Sequence, residues 1–198
     1  MSRKKLGVLL YGPPAAGKDT VTRALAKLES RYGQFARLKA GSGKSGGYRM
    51  GTTAQLRELE AAGDVIYANS RYGNTYVIDR QGLDAAFAAG VPVVHLGQID
   101  GIRALVEGFP ADWVRVLLWC SQEETAQRSI ARGDSDTTAR LAAWEATRED
   151  MDTHPDLVWD LRVDTTATPP EEAAGLIDRL VAGRSGALPA PGDQRGHA

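Results

Sequence analysis

One stretch of the chain has the residue types and spacing of a phosphate-binding loop. In "YGPPAAGKDT", Lys18 directly follows the second of two spaced glycines, Gly12 and Gly17. Such glycines let consecutive backbone N–H groups face one anion, and the lysine reaches the outer phosphates of a nucleotide. The apolar run before the loop and the amphipathic pattern after it supply the required strand and helix. We predict a nucleotide site that comprises Gly12, Ala15, Ala16, Gly17, Lys18, Asp19 and Thr20.

The loop departs from the usual pattern immediately after the lysine. A hydroxyl residue is expected there, whereas this chain has Asp19, followed by Thr20. We predict that Thr20 supplies the hydroxyl near the inner phosphates and the magnesium ion. Two roles stay open for Asp19: a water-mediated contact to magnesium, and a favourable interaction with the helix N-terminus.

The elements that position this loop follow an alternating rhythm. Short apolar runs alternate with longer helical patterns, which predicts an α/β fold, a doubly wound parallel sheet with helices on both faces. Strands are predicted for "LGVLLY", "QFARLK", "VPVVHL", "VRVLLW" and "WDLRV", and the last helix is predicted to begin at Pro169 or Pro170. Two stretches fall outside the rhythm: "KAGSGKSGGYRMGT" predicts a mobile loop, and "DVIYANSRYGNTYVID" predicts two short strands about a turn.

Composition limits the classes of function. The 24 basic and 25 acidic residues nearly cancel, which argues against a nucleic-acid or membrane-surface partner. The single cysteine, Cys120, is typical of a reducing compartment, and no stretch is long and apolar enough to span a bilayer. The apolar run after "MSRKK" is too short for a signal peptide. We expect a cytoplasmic protein.

The middle of the chain resembles the guanylate-kinase family of P-loop phosphotransferases. "YRMGTTAQLRELEAAGDVIYANSRYGNTYVI" keeps the family's order, with Tyr48, then Met50 in place of a phenylalanine, a helix followed by Gly63, and Tyr72 with Gly73 at a turn. The resemblance implies that Tyr48 and Tyr72 hydrogen-bond the phosphate of the acceptor. It also implies a small inserted acceptor-binding lobe at about 40–79.

The acceptor-binding segment departs from that family. The arginine-bearing loops are shortened to "KAGSGKSGGY", which leaves Lys39, Lys44 and Arg49 as substitutes. Tyr67 and either Leu96 or Gln98 stand where the family has the acidic residues that read guanine. Unpaired guanine N–H groups would cost about 1 to 3 kcal/mol each, so we expect an acceptor other than GMP. Tyr67, Asn69 and Gln98 could form a different polar pocket, or Tyr67 could simply pack in the lobe.

A second resemblance concerns "QRSIARGDSDTTARLAAWEATRED", which is similar to the helical lid of these kinases. By this likeness Arg132 and Arg140 are the catalytic candidates and Arg128 and Arg148 weaker ones, while a solvated helix face would explain any single arginine equally well. We place the lid at about 128–148.

Two further polar residues and one polar stretch are predicted near strand ends. Asp100 could hold magnesium through water, orient the acceptor, or cap the following helix. His95 is predicted to be a hydrogen-bonded core residue. The stretch 164–166 could flank the donor base, as in several small-molecule kinases, or form an ordinary turn.

The resemblance implies a P-loop kinase domain over 1–182, and the composition of 183–198 predicts a disordered tail. Its expected reaction moves the terminal phosphoryl of ATP, with magnesium, to a small phosphorylated acceptor such as a nucleoside monophosphate or a sugar phosphate. Ribose 1,5-bisphosphate is an option because its kinase resembles guanylate kinase and has a "GKD" loop. The open alternatives are a small-molecule hydroxyl kinase, such as an antibiotic phosphotransferase, and a non-catalytic guanylate-kinase-like binding module. The oligomeric state also stays open, with a homodimer as one option.

Overall fold

A computed structural model describes residues 5–43, 45–71, 73–133 and 136–185. The first five elements are four strands and one helix, and the last six are four helices and two strands. In order the elements are β1 (Leu6–Tyr11), α1 (Lys18–Leu28), β2 (Tyr32–Gln34), β3 (Arg37–Ala40), β4 (Tyr48–Gly51), α2 (Thr53–Ala61), β5 (Val65–Arg71), β6 (Asn74–Asp79), α3 (Arg80–Ala89), β7 (Val91–Leu96), α4 (Ile99–Gly108), β8 (Asp112–Trp119), α5 (Gln122–Ala131), α6 (Thr137–Thr153), β9 (Leu161–Asp164) and α7 (Pro170–Ser185).

A five-stranded parallel sheet forms the centre of the fold. Its strand order is β2-β7-β1-β8-β9, with β1 between β7 and β8. Every residue of β1 is buried, as expected for a strand that helices cover on both faces. The carboxyl ends of β1 and β7 therefore meet at one edge of the sheet, where the loop after β1 begins.

Helices cover both faces of this sheet. One apolar core packs α1 and α7 against one face, and a second core packs α3 and α4 against the other. The predicted α/β fold with helices on both faces is confirmed.

A second, four-stranded sheet lies in the segment predicted as the acceptor lobe. Its order is β4-β3-β6-β5, and α2 packs on it through a small core that includes Leu38, Leu56 and Val77. A full capping box at Thr52 and Gln55 fixes the start of α2.

Three sequence predictions differ from the structure. "QFARLK" is not one core strand, because the chain bends after β2 and continues as β3 in the second sheet. The glycine-rich stretch is not all loop, since Tyr48–Gly51 pairs in parallel with β3. Helix α7 runs through Ser185, past the predicted start of the tail, and 186–198 lie outside the described residues.

Candidate active site

The loop between β1 and α1 has the curled backbone that the sequence predicts. Gly12 has φ +153°, and a Cβ there would lie 2.0 Å from the carbonyl oxygen of Leu118. Gly17 has φ +86° and precedes α1 directly. Ala15 also has a positive φ, +63°, which is unusual for a residue with a side chain and typical of functional loops. The N-terminus of α1 faces the cavity described below, as anion binding requires.

Lys18 lies across this loop. Its Nζ donates to the carbonyl oxygens of Gly12 at 2.6 Å and Pro13 at 2.8 Å. Burial lowers the pKa of Lys18 to about 8, although the nearby Asp19 carboxylate opposes the shift. The two carbonyl oxygens offset the positive charge of Lys18 only in part. The phosphate of a bound nucleotide would supply the full negative counter-charge.

His95 is closer to this loop than its sequence prediction implied. Thr22 Oγ1 donates to the carbonyl oxygen of Lys18 at 2.9 Å, so the same hydroxyl accepts from Nε2–H of His95 at 2.8 Å. This tautomer, inferred from the hydrogen bonds, leaves Nδ1 without a proton, 3.6 Å from Oδ1 of Asp19. Burial lowers the pKa of His95 to about 4 against the pull of Asp19, so the imidazole is neutral at neutral pH. His95 is hydrogen-bonded as predicted, but it lines a cavity.

A cavity of about 1180 Å³ opens beside the loop. Its walls are the loop and α1, the end of α5, the turn after β9, and the chain between β2 and β4. The charged residues that line it are Lys18, Asp19, Arg23, Arg37, Arg128 and Arg132. Among the described lining residues, five basic side chains therefore face a single carboxylate. Such a surface favours a polyanionic ligand.

Arg128 ties two walls of the cavity together. Its guanidinium donates to the carbonyl oxygen of Ala15 at 3.0 Å and to the carbonyl oxygen of Thr165 at 2.8 Å, while Nε pairs with Glu124 at 2.7 Å. This arginine, the weaker lid candidate of the sequence analysis, holds the strained loop residue in place. Arg132 lines the same cavity.

The other lid candidates are not among the cavity-lining residues. Nε of Arg140 pairs with Asp136 at 3.0 Å. Arg148 pairs with Glu145 and Asp152 along the exposed side of α6. The predicted lid spans the end of α5 and most of α6, and residues 134 and 135 between them lie outside the described part of the chain.

Tyr48, one of the predicted acceptor-binding residues, lines the cavity. Its ring packs against Tyr76 at 5.2 Å between centroids. The ammonium group of Lys39 lies 5.7 Å from the Tyr48 centroid and donates to the carbonyl oxygen of Ser42 at 2.7 Å. Lys39 is 2 % exposed, so it supports Tyr48 from inside the lobe. Tyr72 and Lys44, the remaining candidates of this group, lie outside the described residues.

Arg49 has a structural environment. Its guanidinium forms an ion pair with Asp79, which is only 2 % exposed in its side chain, and Nε donates to the carbonyl oxygen of Ala36 at 2.9 Å. Asp79 in turn caps α3 by accepting from the N–H of Gly82 at 2.7 Å. Arg49 and Asp79 come together because their strands, β4 and β6, lie on either side of β3.

Tyr67 and Gln98 meet, as the polar-pocket alternative predicted. The hydroxyl of Tyr67 donates to Oε1 of Gln98 at 2.6 Å, and burial raises the pKa of Tyr67, with the Asp100 charge adding to the shift. Oδ1 of Asn69 is buried without a hydrogen-bond partner among the described residues. These three side chains do not line the phosphate-loop cavity.

Asp100 does not cap the helix that follows it. Helix α4 has Gln98 at its N-cap position, and the N–H of Ile99 donates to Oδ2 of Asp150 at 2.8 Å instead. Asp100 lies in the first turn with its side chain 80 % exposed, 4.0 Å from Nε2 of His154. Asp150 also accepts from the hydroxyl of Tyr11 at 2.8 Å, and no local sequence pattern predicts this part-buried hydrogen bond.

The residues present fit a nucleotide with its magnesium ion. The loop offers backbone N–H groups, and the exposed side chains of Asp19 and Thr20 follow Lys18 at the cavity. Within the described parts of the chain, no three His, Cys, Asp or Glu side chains cluster as a metal site. Magnesium in kinases is held mainly by nucleotide phosphates with one or two protein ligands, which agrees with this arrangement.

A family model described as chloramphenicol phosphotransferase-like protein matches residues 41–182. The chain belongs to this family. The match covers β4, β5 and β6 of the second sheet, α5, α6 and the turn after β9, and it begins after the phosphate loop and β3.

Two guanylate kinases are also similar to this family member. The guanylate kinase of Clostridium acetobutylicum is 27 % identical over 158 residues, which are 76 % of this chain and 74 % of that protein. The crystal structure of guanylate kinase from Anaplasma phagocytophilum superposes with a TM-score of 0.64 at 17 % identity, over 93 % of this chain and 88 % of that one. The predicted resemblance to guanylate kinases is confirmed, and the chain has the fold of these P-loop enzymes. No helix in the described ranges is both long and apolar enough to cross a membrane.

Proposed function

We propose that the protein transfers the γ-phosphoryl group of ATP to a small phosphorylated acceptor, a nucleoside monophosphate or a related sugar phosphate other than GMP. The observation that carries this proposal is the charge of the cavity, where five basic side chains accompany one carboxylate among the described lining residues. A donor triphosphate and an acceptor phosphate together need this much positive charge. The cytoplasm, which supplies ATP and keeps thiols reduced, is the proposed compartment.

The donor side of the proposed site is the phosphate loop and the residues beside it. Backbone N–H groups between Ala15 and Thr20 would bind the phosphates, since Pro13 and Pro14 have none, and Lys18 and Arg132 would stabilise the group in transfer. Arg140 could join them only after a movement of α6, because it is not among the cavity-lining residues. Thr20, with Asp19 acting through water, would hold the magnesium ion, which offsets phosphate charge, whereas Asp100 is not among the cavity-lining residues.

The acceptor side lies toward the second sheet. Tyr48 lines the cavity and, with Tyr72, is proposed to bind the acceptor phosphate. Tyr67 and Gln98 are proposed to contact the rest of the acceptor, whereas the buried Lys39 and the paired Arg49 support the lobe. In the reaction, an acceptor phosphate oxygen forms a bond to the γ-phosphorus as the bond to the β-phosphate oxygen breaks and ADP leaves. A phosphate acceptor is already ionised, so this step needs no general base.

A hydroxyl acceptor is the second candidate, and the family match favours it. A hydroxyl must lose its proton during transfer, so this reaction needs a base within hydrogen-bonding reach. Asp19 is the one carboxylate among the described lining residues, and the unprotonated Nδ1 of His95 faces it. Asp19→Asn should therefore abolish hydroxyl phosphorylation, whereas transfer to a phosphate group should lose only the part of its rate that a water-mediated contact of Asp19 to magnesium supplies.

The experiment is an acceptor panel with a matched control. ADP release from ATP and magnesium is measured with nucleoside monophosphates, ribose 1,5-bisphosphate and chloramphenicol, for the wild type, Lys18→Ala and Lys27→Ala. Lys27 is exposed near the end of the same helix, so its variant controls for loss of a lysine there. We expect turnover with a phosphate ester, lost by at least a hundredfold in Lys18→Ala only. Turnover with chloramphenicol alone would favour the second candidate, and nucleotide binding without any turnover would favour a binding module.

A further inference from the structure

Arg37 lies where the chain passes from the central sheet to the second sheet. It is the first residue of β3, and the bend after β2 brings it to the wall of the cavity. Its guanidinium carbon lies 5.4 Å from the centroid of the Tyr76 ring. Stacking on an aromatic face leaves the N–H edge of a guanidinium open to a ligand in its plane.

The environment of Arg37 differs from that of the other arginines in this region. Arg49 is paired with Asp79, and Arg128 with Glu124. Within the described parts of the chain, the guanidinium of Arg37 has its aromatic contact but neither a carboxylate nor a hydrogen-bond acceptor. The N–H groups of Arg37 therefore face the open cavity with no protein acceptor among the described residues, where an anionic ligand can accept from them.

The positive charge of Arg37 affects pKa values in the phosphate loop and in the second sheet. It contributes to the lowered pKa of Lys18 and of His95 beside the phosphate loop. It also opposes the raised pKa of Tyr67, which stands on β5 of the second sheet. Arg37 lines the cavity, and its charge acts on groups of both the phosphate loop and the second sheet.

We propose that Arg37 binds the phosphate group of the acceptor and holds it across the cavity from Lys18. This inference rests on the proposed function and names the residue that replaces the arginines of the shortened loop. A planar guanidinium fixed by Tyr76 can donate two parallel hydrogen bonds to a phosphate. It would also neutralise the acceptor charge that otherwise repels the γ-phosphate. No local pattern marks Arg37 in the sequence, because its place depends on the bend after β2.

The test separates acceptor binding from nucleotide binding. The protein is first saturated with magnesium and a non-hydrolysable ATP analogue, and ribose 5-phosphate is then titrated by calorimetry, with ribose as the uncharged control. Ribose 5-phosphate is the fragment that nucleoside monophosphates and pentose phosphates share. The variants are Arg37→Gln, Arg37→Lys and Arg57→Gln, the last replacing an exposed arginine of α2 in the same lobe.

We expect Arg37→Gln to weaken ribose 5-phosphate binding at least tenfold, Arg37→Lys to recover part of the loss, and Arg57→Gln to match the wild type. Affinity for the ATP analogue should change less than twofold in all three. The inference fails if Arg37→Gln and Arg37→Lys bind ribose 5-phosphate like the wild type, in which case the proposed function stands with another acceptor cation. It also fails if Arg37→Gln weakens only the ATP analogue, which would place Arg37 on the donor side. A wild type that binds the analogue but no phosphate ester would reject the proposed acceptor class itself.

Discussion

The hydroxyl of Tyr67 donates a 2.6 Å hydrogen bond to Oε1 of Gln98. By the resemblance to guanylate kinases, Tyr67 stands at one acidic position of that family, and either Leu96 or Gln98 at the other. The two side chains satisfy each other, because the amide oxygen accepts the phenolic proton. Neither side chain of this pair is a carboxylate that could accept guanine N–H groups. We therefore expect the pair to disfavour guanine as the base of the acceptor.

The first prediction concerns discrimination against GMP. We expect kcat/KM for GMP to be at least a hundredfold below that for the best phosphate ester, because two N–H groups left unpaired cost about 1 to 3 kcal/mol each. Tyr67→Glu, which returns a carboxylate to the family position, should narrow this gap severalfold. Tyr67→Phe removes the hydroxyl without adding a carboxylate and should not narrow it. Equal responses of the two variants in steady-state assays would contradict this account of specificity.

The second prediction concerns stability and pH at Lys18. Burial lowers its pKa from 10.5 to about 8, so between these values the unfolded chain binds a proton that the folded chain has lost, and stability rises with pH. At pH 7 the charged amine opposes folding, and Lys18→Met should raise the free energy of unfolding by on the order of 1 to 3 kcal/mol. This gain should shrink when urea unfolding is repeated at pH 9.5. The exposed Lys27, changed to Met, should show neither effect, and a gain that grows with pH would refute the sign.

The third prediction concerns the link that Arg128 makes between the phosphate loop and the turn after β9. Arg128→Lys keeps the charge but cannot reach the carbonyl oxygens of Ala15 and Thr165 with one planar group. We expect about a tenfold loss of nucleotide affinity, from roughly 1.4 kcal/mol, in equilibrium titration with a fluorescent ADP. Arg179→Lys, at an exposed position on α7, serves as the control. An unchanged affinity in Arg128→Lys would mean that the loop keeps its shape without this link.

The central sheet and the phosphate loop follow from local sequence patterns. Each apolar run from "LGVLLY" to "VRVLLW" is long enough to specify a buried strand, and the glycines and Lys18 mark the loop by their spacing. Tyr67 and Gln98 could be paired only through the family resemblance, since a distance between β5 and α4 has no local signature. Spacing alone identifies Gly12 in the sequence. The close approach of Leu118 explains why this position requires glycine.

The second sheet and the cationic residues of the cavity were harder to predict. "QFARLK" has an apolar and polar alternation that suits one strand, and only the pairing of β3 with β4 and β6 reveals the bend within it. Arg37 and His95 reach the cavity through that tertiary arrangement. A signal for His95 did exist, because it lies at the carboxyl end of a strand beside β1, where ligands of doubly wound sheets bind. Asp150 had no such signal, since α6 brings it to the start of α4 from far along the chain.

The last prediction concerns the close approach of the phosphate loop to β8. A Cβ at Gly12 would lie 2.0 Å from the carbonyl oxygen of Leu118, a backbone atom that cannot move without distorting β8. Gly12→Ala should therefore destabilise the fold by more than about 3 kcal/mol or prevent accumulation of folded protein. Gly63, after α2, also has a positive φ, +69°, but a Cβ there meets nothing within 4 Å, so Gly63→Ala should cost only about 1 kcal/mol. Thermal unfolding of the two variants separates these effects, because Gly63→Ala reports backbone strain alone and Gly12→Ala adds the collision with Leu118. Equal losses of stability would mean that the loop can move away from β8.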